Sequence, residues 1–284
     1  MRILITGVSG FIGNYLAKKW QNSNYEIVGV VRSRKPDNIT IPVFISDLSK
    51  GFSYDEPVDV IVHAAALSPS PRGSFIEYFE NNVIATRNLI RYAEDKGVKK
   101  VIFLSSVSVY GNCEVPIVDE DTPIINPDGY GLTKYIAEKL FEGARGFSTI
   151  IIRLPGVLGK DATVPWLVKT AQRLIKNETI EIYNPESFFN NMVYVGDVEK
   201  FIRHIVDSNC GKIERVLLGS GEPLKVKSII NWLKRFFGST SEVKSIISDK
   251  KSFIISIEKA KRMGYVPLST EEVLDTFCRD IVGQ

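Results

Sequence analysis

Over the first 155 residues, short apolar runs alternate with longer amphipathic stretches. The runs at 2–6, 25–31, 41–45, 58–63, 100–105 and 149–153 are rich in Ile, Val and Leu, as expected of strands buried on both faces. Between them, 11–21, 74–95 and 129–144 carry apolar residues at helical spacing. Strands that alternate with helices predict an α/β fold, a doubly wound parallel sheet covered on both faces. After Pro155 the pattern becomes mixed. Helices are expected at 165–176, 197–207 and 225–237 and a short strand at 180–183; Val226, Ile229, Ile230, Leu233 and Phe237 form one apolar stripe. The predicted organisation is a first domain over 1–155, with a returning segment near 190–210, and a smaller mixed α/β domain over 156–284.

The first strand runs into Gly7-Val8-Ser9-Gly10-Phe11-Ile12-Gly13 and then the first helix. Gly7 permits a tight turn, Gly10 lets the backbone approach a pyrophosphate, and Gly13 lets helix and strand pack closely. Free N–H groups at the helix start attract the anion. The spacing is GxxGxxG and not GxGxxG, but the strand before and the helix after supply the context that such a motif requires.

The run Lys99–Gly111 is a buried strand that turns polar at its carboxyl end, through Ser105, Ser106 and Ser108. Ligands of open α/β sheets bind at that end. A serine hydroxyl there can hydrogen-bond a carbonyl or alcohol oxygen. Downstream, Tyr130-Gly131-Leu132-Thr133-Lys134 sets a phenol and an ammonium four residues apart. On a helix they share a face, so Lys134 is expected beside Tyr130, favouring the ionised phenol and making it an acid/base near neutral pH.

These motifs occur in order with Asp47-Leu48, His63-Ala64-Ala65-Ala66, Asn81-Asn82-Val83, Arg153-Leu154-Pro155-Gly156-Val157-Leu158-Gly159 and Val193-Tyr194-Val195-Gly196-Asp197-Val198. In this the chain resembles, over nearly its whole length, the extended short-chain dehydrogenases/reductases, the NAD-dependent epimerase/dehydratase family. The resemblance implies a Rossmann domain followed by a smaller carboxyl-terminal substrate domain. It implies Ser106 and Tyr130 as catalytic, with Tyr130 the acid/base and Lys134 holding the nicotinamide ribose and depressing the tyrosine pKa. Ser108 becomes a substrate contact. The cofactor would lie on Gly7, Ser9, Gly10, Phe11, Ile12 and Gly13, with Asp47 and Leu48 at the adenine and Ala64, Ala65 and Ala66 beneath the diphosphate and ribose. Asn82 and the closing Met263–Pro267 are read as structural. The implied substrate is a nucleotide-linked sugar, and the implied assembly is a homodimer through 74–95 and 129–144. Where many members carry a diphosphate-binding arginine this chain has Asn190, which can hydrogen-bond phosphate but brings no charge. For a second such arginine only Lys250 or Lys251 is near, and Gly156 stands where many members have a sugar-contacting Asn.

Cofactor choice is read from the second strand, which ends Val30-Val31-Arg32-Ser33-Arg34-Lys35 without the acidic residue that would grip the 2′-OH of NAD. Arg32, Ser33 and Arg34 suit a 2′-phosphate, so NADP is expected, with NAD the alternative. Dehydratases of the family carry an acidic pair soon after the catalytic serine; Val107 and Ser108 stand here, which disfavours dehydration. The leading expectation is a 4-keto-sugar reductase. The alternatives are a 4-epimerase with retained NAD and a non-enzymatic dinucleotide sensor, the last disfavoured because Ser106, Tyr130 and Lys134 are all present.

Bulk properties narrow the rest. A net charge of +3 over 284 residues points to neither nucleic acid nor a membrane surface. Cys113, Cys210 and Cys278 are widely spaced, as reduced thiols would be. With only His63 and His204, neither a histidine-rich metal site nor a Ser-His-Asp mechanism has material, and His63 is assigned to the strand-end turn. No apolar stretch reaches about 18 residues, so a cytoplasmic enzyme is expected.

Overall fold

The computed structural model describes residues 1–70, 73–209, 211–249 and 252–283. Cys210, Lys250 and Lys251, considered above, lie outside the described residues.

The first half of the chain builds β1 (Arg2–Thr6), α1 (Phe11–Trp20), β2 (Glu26–Val31), β3 (Val43–Ile45), β4 (Val60–His63), α2 (Phe75–Tyr78), α3 (Ala85–Lys96), β5 (Lys100–Ser106), β6 (Ile117–Val118), α4 (Gly129–Gly143) and β7 (Ser148–Leu154). The second half adds β8 (Gly156–Leu158), α5 (Trp166–Ile175), β9 (Ile180–Tyr183), β10 (Phe188–Phe189), β11 (Met192–Tyr194), α6 (Val195–Asp207) and β12 (Ile213–Leu217). It closes with β13 (Leu224–Lys225), α7 (Val226–Phe237), β14 (Val243–Ile246), β15 (Ile254–Ile255), α8 (Glu258–Arg262) and α9 (Thr270–Val282).

Seven strands form the main sheet in the order β12-β7-β5-β4-β1-β2-β3, and the pairs β1–β2, β1–β4, β2–β3 and β4–β5 are parallel. This is the doubly wound Rossmann order, with its crossover between β1 and β4. The apolar runs explain it: Ile3, Leu4, Ile5, Ile61 and Val62 have no exposed surface, and Leu89, Ala93 and Phe141 from the flanking helices pack with Leu4, Ile61, Val101 and Phe103.

Two departures from the expected elements have physical causes. The helix expected over 74–95 starts as α2, capped reciprocally by Ser74 and Glu77, then widens into π-type turns over Phe79–Ile84 before α3. Strand β12 has no clear apolar run because it is an edge strand, and its Arg215 is paired with Glu142.

The chain divides into two compact units. One comprises Met1–Gly111, Asn126–Arg153 and Ile202–Val216, the other Asn112–Ile125, Leu154–Phe201 and Leu217–Gln284. The returning segment lies later than 190–210 because β12 joins the sheet. Asn112–Ile125 leaves the first unit because β6 pairs with β15. The second unit holds the small pairs β8 with β11, β9 with β14 and β10 with β13, and α7 packs against β9 and β13 with Val226, Ile229, Ile230 and Leu233 buried as the stripe predicts. Among the described residues, no helix is long and apolar enough to cross a membrane, and no cluster of His, Cys, Asp and Glu could hold a metal ion.

Candidate active site

The turn after β1 can only be built from glycine. Gly7 has φ +74°, and a Cβ there would stand 2.7 Å from the backbone nitrogen of Ala65. At Gly13 a Cβ would stand 2.3 Å from the Gly7 carbonyl oxygen, so α1 packs directly on the turn. No side chain caps α1 at Gly10, which leaves its first-turn N–H groups without a side-chain acceptor. Above the turn is a cavity lined by Gly7, Ser9, Gly10, Arg32, Asp47 and Leu48, with Ala64, Ala65 and Ala66 along one wall. Phe11, Ile12 and Gly13 form the start of α1 beside it. A close-approach backbone, uncapped N–H donors and small side chains suit the diphosphate and adenosine of a dinucleotide.

The two arginines expected at a 2′-phosphate separate. Arg32 lines the cavity and donates from Nη1 to Asn81 Oδ1 at 3.0 Å. Arg34 pairs with Asp37 at 3.0 Å on the exposed loop, and neither Ser33 nor Arg34 is among the lining residues. The Asp47 carboxylate accepts from Ser49 N and Oγ at 3.1 and 2.7 Å, bonds that, with the charges of Lys50 and Arg32, hold it below the usual aspartate range.

Ser106 ends β5. Its Oγ accepts from Ser108 N at 3.1 Å and donates to Ser108 Oγ at 3.1 Å, starting the short turn Val107–Tyr110. Tyr130 lies in the first turn of α4, whose start is fixed by Asp128 accepting from Gly131 N at 2.7 Å. Burial pushes the Tyr130 phenol up to about 12, with the Ser106 hydroxyl pulling the other way, and Tyr78 packs edge-on at 5.9 Å.

Lys134 departs from the expectation. It is on the same face of α4, but it is 2 % exposed, and its Nζ donates to the Leu104 carbonyl at 2.6 Å, over the Phe103 ring at 4.1 Å. Its partner is a carbonyl and not the phenol. Burial lowers it to about 7, opposed by the Glu138 carboxylate, so here the tyrosine is raised and the lysine depressed. A buried ammonium costs more than a nearby phenol returns, and the strand-end carbonyl is the better acceptor.

A profile of the NAD dependent epimerase/dehydratase family matches residues 3–219. The chain belongs to this family. A putative UDP-glucose 4-epimerase of Methanocaldococcus jannaschii is 27 % identical over 292 residues, 93 % of each chain. A GDP-6-deoxy-D-talose 4-dehydrogenase of Aggregatibacter actinomycetemcomitans is 31 % identical over 193 residues, 66 % of this chain and 64 % of that one. Among solved structures, the UDP-glucuronic acid 4-epimerase of Bacillus cereus in complex with NAD superposes with a TM-score of 0.84 at 24 % identity, covering 99 % of this chain and 96 % of that chain; this likeness is one of fold.

Several residues of this family member are held in ways the sequence did not reveal. Asn190, expected at a phosphate, is 2 % exposed and fully used: Nδ2 donates to the carbonyls of Ser220 and Ile255 at 3.1 and 2.9 Å, and Oδ1 accepts from Ile255 N at 2.7 Å. It is a structural knot within the second unit, with no donor left for a ligand. His63 ends β4 in the core, bridging the hydroxyls of Thr6 and Thr86 at 2.8 and 3.0 Å, and burial lowers it to about 3. Asn82 ties Leu67 to Thr133, matching its structural reading. Glu138, which no motif marked, is fully buried: it accepts from Ser105 Oγ at 2.5 Å and pairs with Arg153 at 2.7 and 3.1 Å, while Arg153 also donates to Tyr110 Oη at 2.7 Å. Its spacing of four from Lys134 was the only signal available.

Proposed function

We propose that this protein interconverts the C4 epimers of a nucleotide-linked sugar. The observation that carries the proposal is the convergence of Ser106 and Tyr130 at the carboxyl end of β5, with Lys134 one turn along α4, in the same compact unit as the glycine cradle. Gly7, Ser9, Gly10 and the α1 N–H groups would hold the diphosphate of a nicotinamide dinucleotide, Asp47 and Leu48 the adenosine, and Lys134 the nicotinamide ribose. When bound, that cofactor supplies the hydride acceptor and donor at the sugar carbon.

The residues of the chain supply the proton and the orientation. Ser106 hydrogen-bonds the C4 oxygen. Tyr130 takes the proton of the C4 hydroxyl on oxidation and returns it on reduction. In the ligand-free protein the phenol is protonated at neutral pH, the form needed to donate. Accepting requires a lower pKa, and the Lys134 ammonium, once turned from the Leu104 carbonyl toward a ribose, is the nearby charge able to produce it. The 4-epimerases among the relatives support this reading. Exposed Phe75 and Ile76 on α2 are in keeping with the homodimer proposed from the sequence.

A second reading, an NADP-dependent 4-keto-sugar reductase, is favoured by one observation: Arg32 lines the cavity and no carboxylate ends β2. The test is incubation with UDP-glucose and other nucleotide sugars while following C4 configuration by proton NMR and dinucleotide absorbance. Inversion at C4 without net consumption of dinucleotide supports the epimerase. Stoichiometric oxidation of NADPH by a 4-keto sugar assigns the reductase. A protein that binds dinucleotide but acts on no nucleotide sugar overturns both readings.

A further inference from the structure

Tyr78, the buried last residue of α2, joins two parts of the site. Its ring packs edge-on against Tyr130, with centroids 5.9 Å apart and planes at 71°. Its hydroxyl accepts from the Ser70 N–H at 2.8 Å and donates to the Ser70 carbonyl at 3.2 Å. One side chain thus meets both backbone groups of a loop residue, as a neighbouring strand would. Ser70 belongs to the loop between β4 and α2, in which Leu67 lines the dinucleotide cavity. Leu67 is held in the same manner by Asn82, four residues beyond Tyr78, which accepts from its N–H at 2.7 Å and donates to its carbonyl at 3.4 Å. Asn82 Nδ2 also donates to Thr133 Oγ1 at 3.2 Å, and that hydroxyl donates to the Tyr130 carbonyl at 2.8 Å. Two side chains therefore tie one loop to one residue: Asn82 reaches the backbone of Tyr130 through Thr133, and Tyr78 reaches its ring.

The loop closes tightly over the Tyr78 hydroxyl. A Cβ at Gly73 would stand 2.2 Å from the Tyr78 Oη and 2.5 Å from its Cζ, so any larger residue there displaces the ring end. An acid/base that gives and takes a proton at one substrate oxygen must keep its own oxygen in one place. The Ser106 hydroxyl acts on the Tyr130 phenol, and Tyr78 packs against its ring. Phenylalanine at position 78 would supply the ring without the tie to Ser70; tyrosine supplies both.

We infer that Tyr78 is a positioning residue for the acid/base: its ring holds and shields the Tyr130 phenol at Ser106, and its hydroxyl anchors that ring to the loop between β4 and α2. This rests on the proposed role of Tyr130. Tyr78 itself exchanges no proton with substrate, and its effect on the reaction passes through Tyr130.

The test compares Tyr78→Phe, Tyr78→Leu and Gly73→Ala in the purified full chain. Ultraviolet difference titration, each variant against its own Tyr130→Phe partner, reads the Tyr130 phenol without cofactor or substrate. Tyr78→Leu should bring it down from about 12 toward the ordinary 10, whereas Tyr78→Phe, which keeps the ring, should leave it near 12. Hydrogen exchange at the Ser70 amide should quicken by about three- to tenfold in Tyr78→Phe and Gly73→Ala, the scale of one lost hydrogen bond. In turnover of a nucleotide sugar, Tyr78→Leu should lower kcat and kcat/KM together by about tenfold to a hundredfold, as expected when a reacting group is misplaced. Gly73→Ala should add nothing to that loss in the Tyr78→Leu background, because the atoms it strikes are gone. A merely structural Tyr78 would lower the denaturation midpoint and leave the Tyr130 titration and the kcat of the folded protein unmoved; that result overturns the inference alone. If titration and exchange move as stated while no nucleotide sugar reacts, the function reading falls and the placement of the phenol by Tyr78 stands.

Discussion

A Cβ atom added at Gly131 would stand 2.2 Å from the carbonyl oxygen of Ser108. Helix α4 therefore rests directly on the turn that follows β5, and this contact brings Tyr130, one residue before Gly131, to Ser106, two residues before Ser108. The glycine within the Tyr-Gly-Leu-Thr-Lys motif is a packing requirement of the site.

Gly131→Ala should consequently push α4 away from the turn. Overpacking of this kind costs roughly 1–3 kcal/mol. Urea denaturation should show that loss, together with a fall in turnover larger than the fall in dinucleotide affinity. Unchanged stability and turnover would show that the contact does not set the site.

Tyr130→Phe removes only the phenolic oxygen. The variant should fold and bind dinucleotide as the wild type does, while turnover falls by about 10²–10⁴, the range for loss of a general acid/base. In the ligand-free protein, ultraviolet difference titration against Tyr130→Phe should place this phenol near 12, above an ordinary tyrosine.

Lys134 gives stability a particular pH dependence. Its folded pKa is about 7 against an ordinary 10.5, so between these values the unfolded chain binds more protons and stability rises with pH. The contribution is complete above 10.5 and is lost as pH falls toward 7. Relative to Lys134→Met, the ligand-free wild type should gain stability from pH 7 to 9 in matched denaturant titrations. A flat difference would mean that the ammonium is not desolvated as the geometry indicates.

Glu138 and Arg153 should behave as a unit. Removing one partner, as in Glu138→Gln or Arg153→Met, breaks the buried pair at a cost of about 3–5 kcal/mol, Arg215 at 3.9 Å being the cation that stays near Glu138 in the second variant. The double variant should lose less than the sum of the singles, a coupling read from a double-mutant cycle.

Asn190→Ala should act on stability. It orphans the Ile255 N–H and two carbonyl acceptors, at about 1–3 kcal/mol for each group left buried and unsatisfied. A change in apparent substrate affinity at undiminished stability would restore the phosphate-contact reading that the structure withdraws.

The sequence by itself determined the alternating architecture, the glycine turn, the strand-end serines and the Tyr130–Lys134 spacing. All are local: a buried strand needs a continuous apolar run, a tight turn needs positive φ at Gly7, and residues four apart on a helix share a face wherever that helix is placed. Only tertiary structure decided which local candidates meet. It separated Arg32 from Arg34, set Asn81 against Arg32 across the gap from β2 to the π-type turns, closed Asn190 into a backbone knot, and turned Lys134 onto a carbonyl. It also assembled Glu138, Ser105 and Arg153 from three elements and added β12 to the sheet edge. Such pairings depend on distances between segments far apart in the chain and on which polar groups lose their water, and neither quantity is written in local pattern.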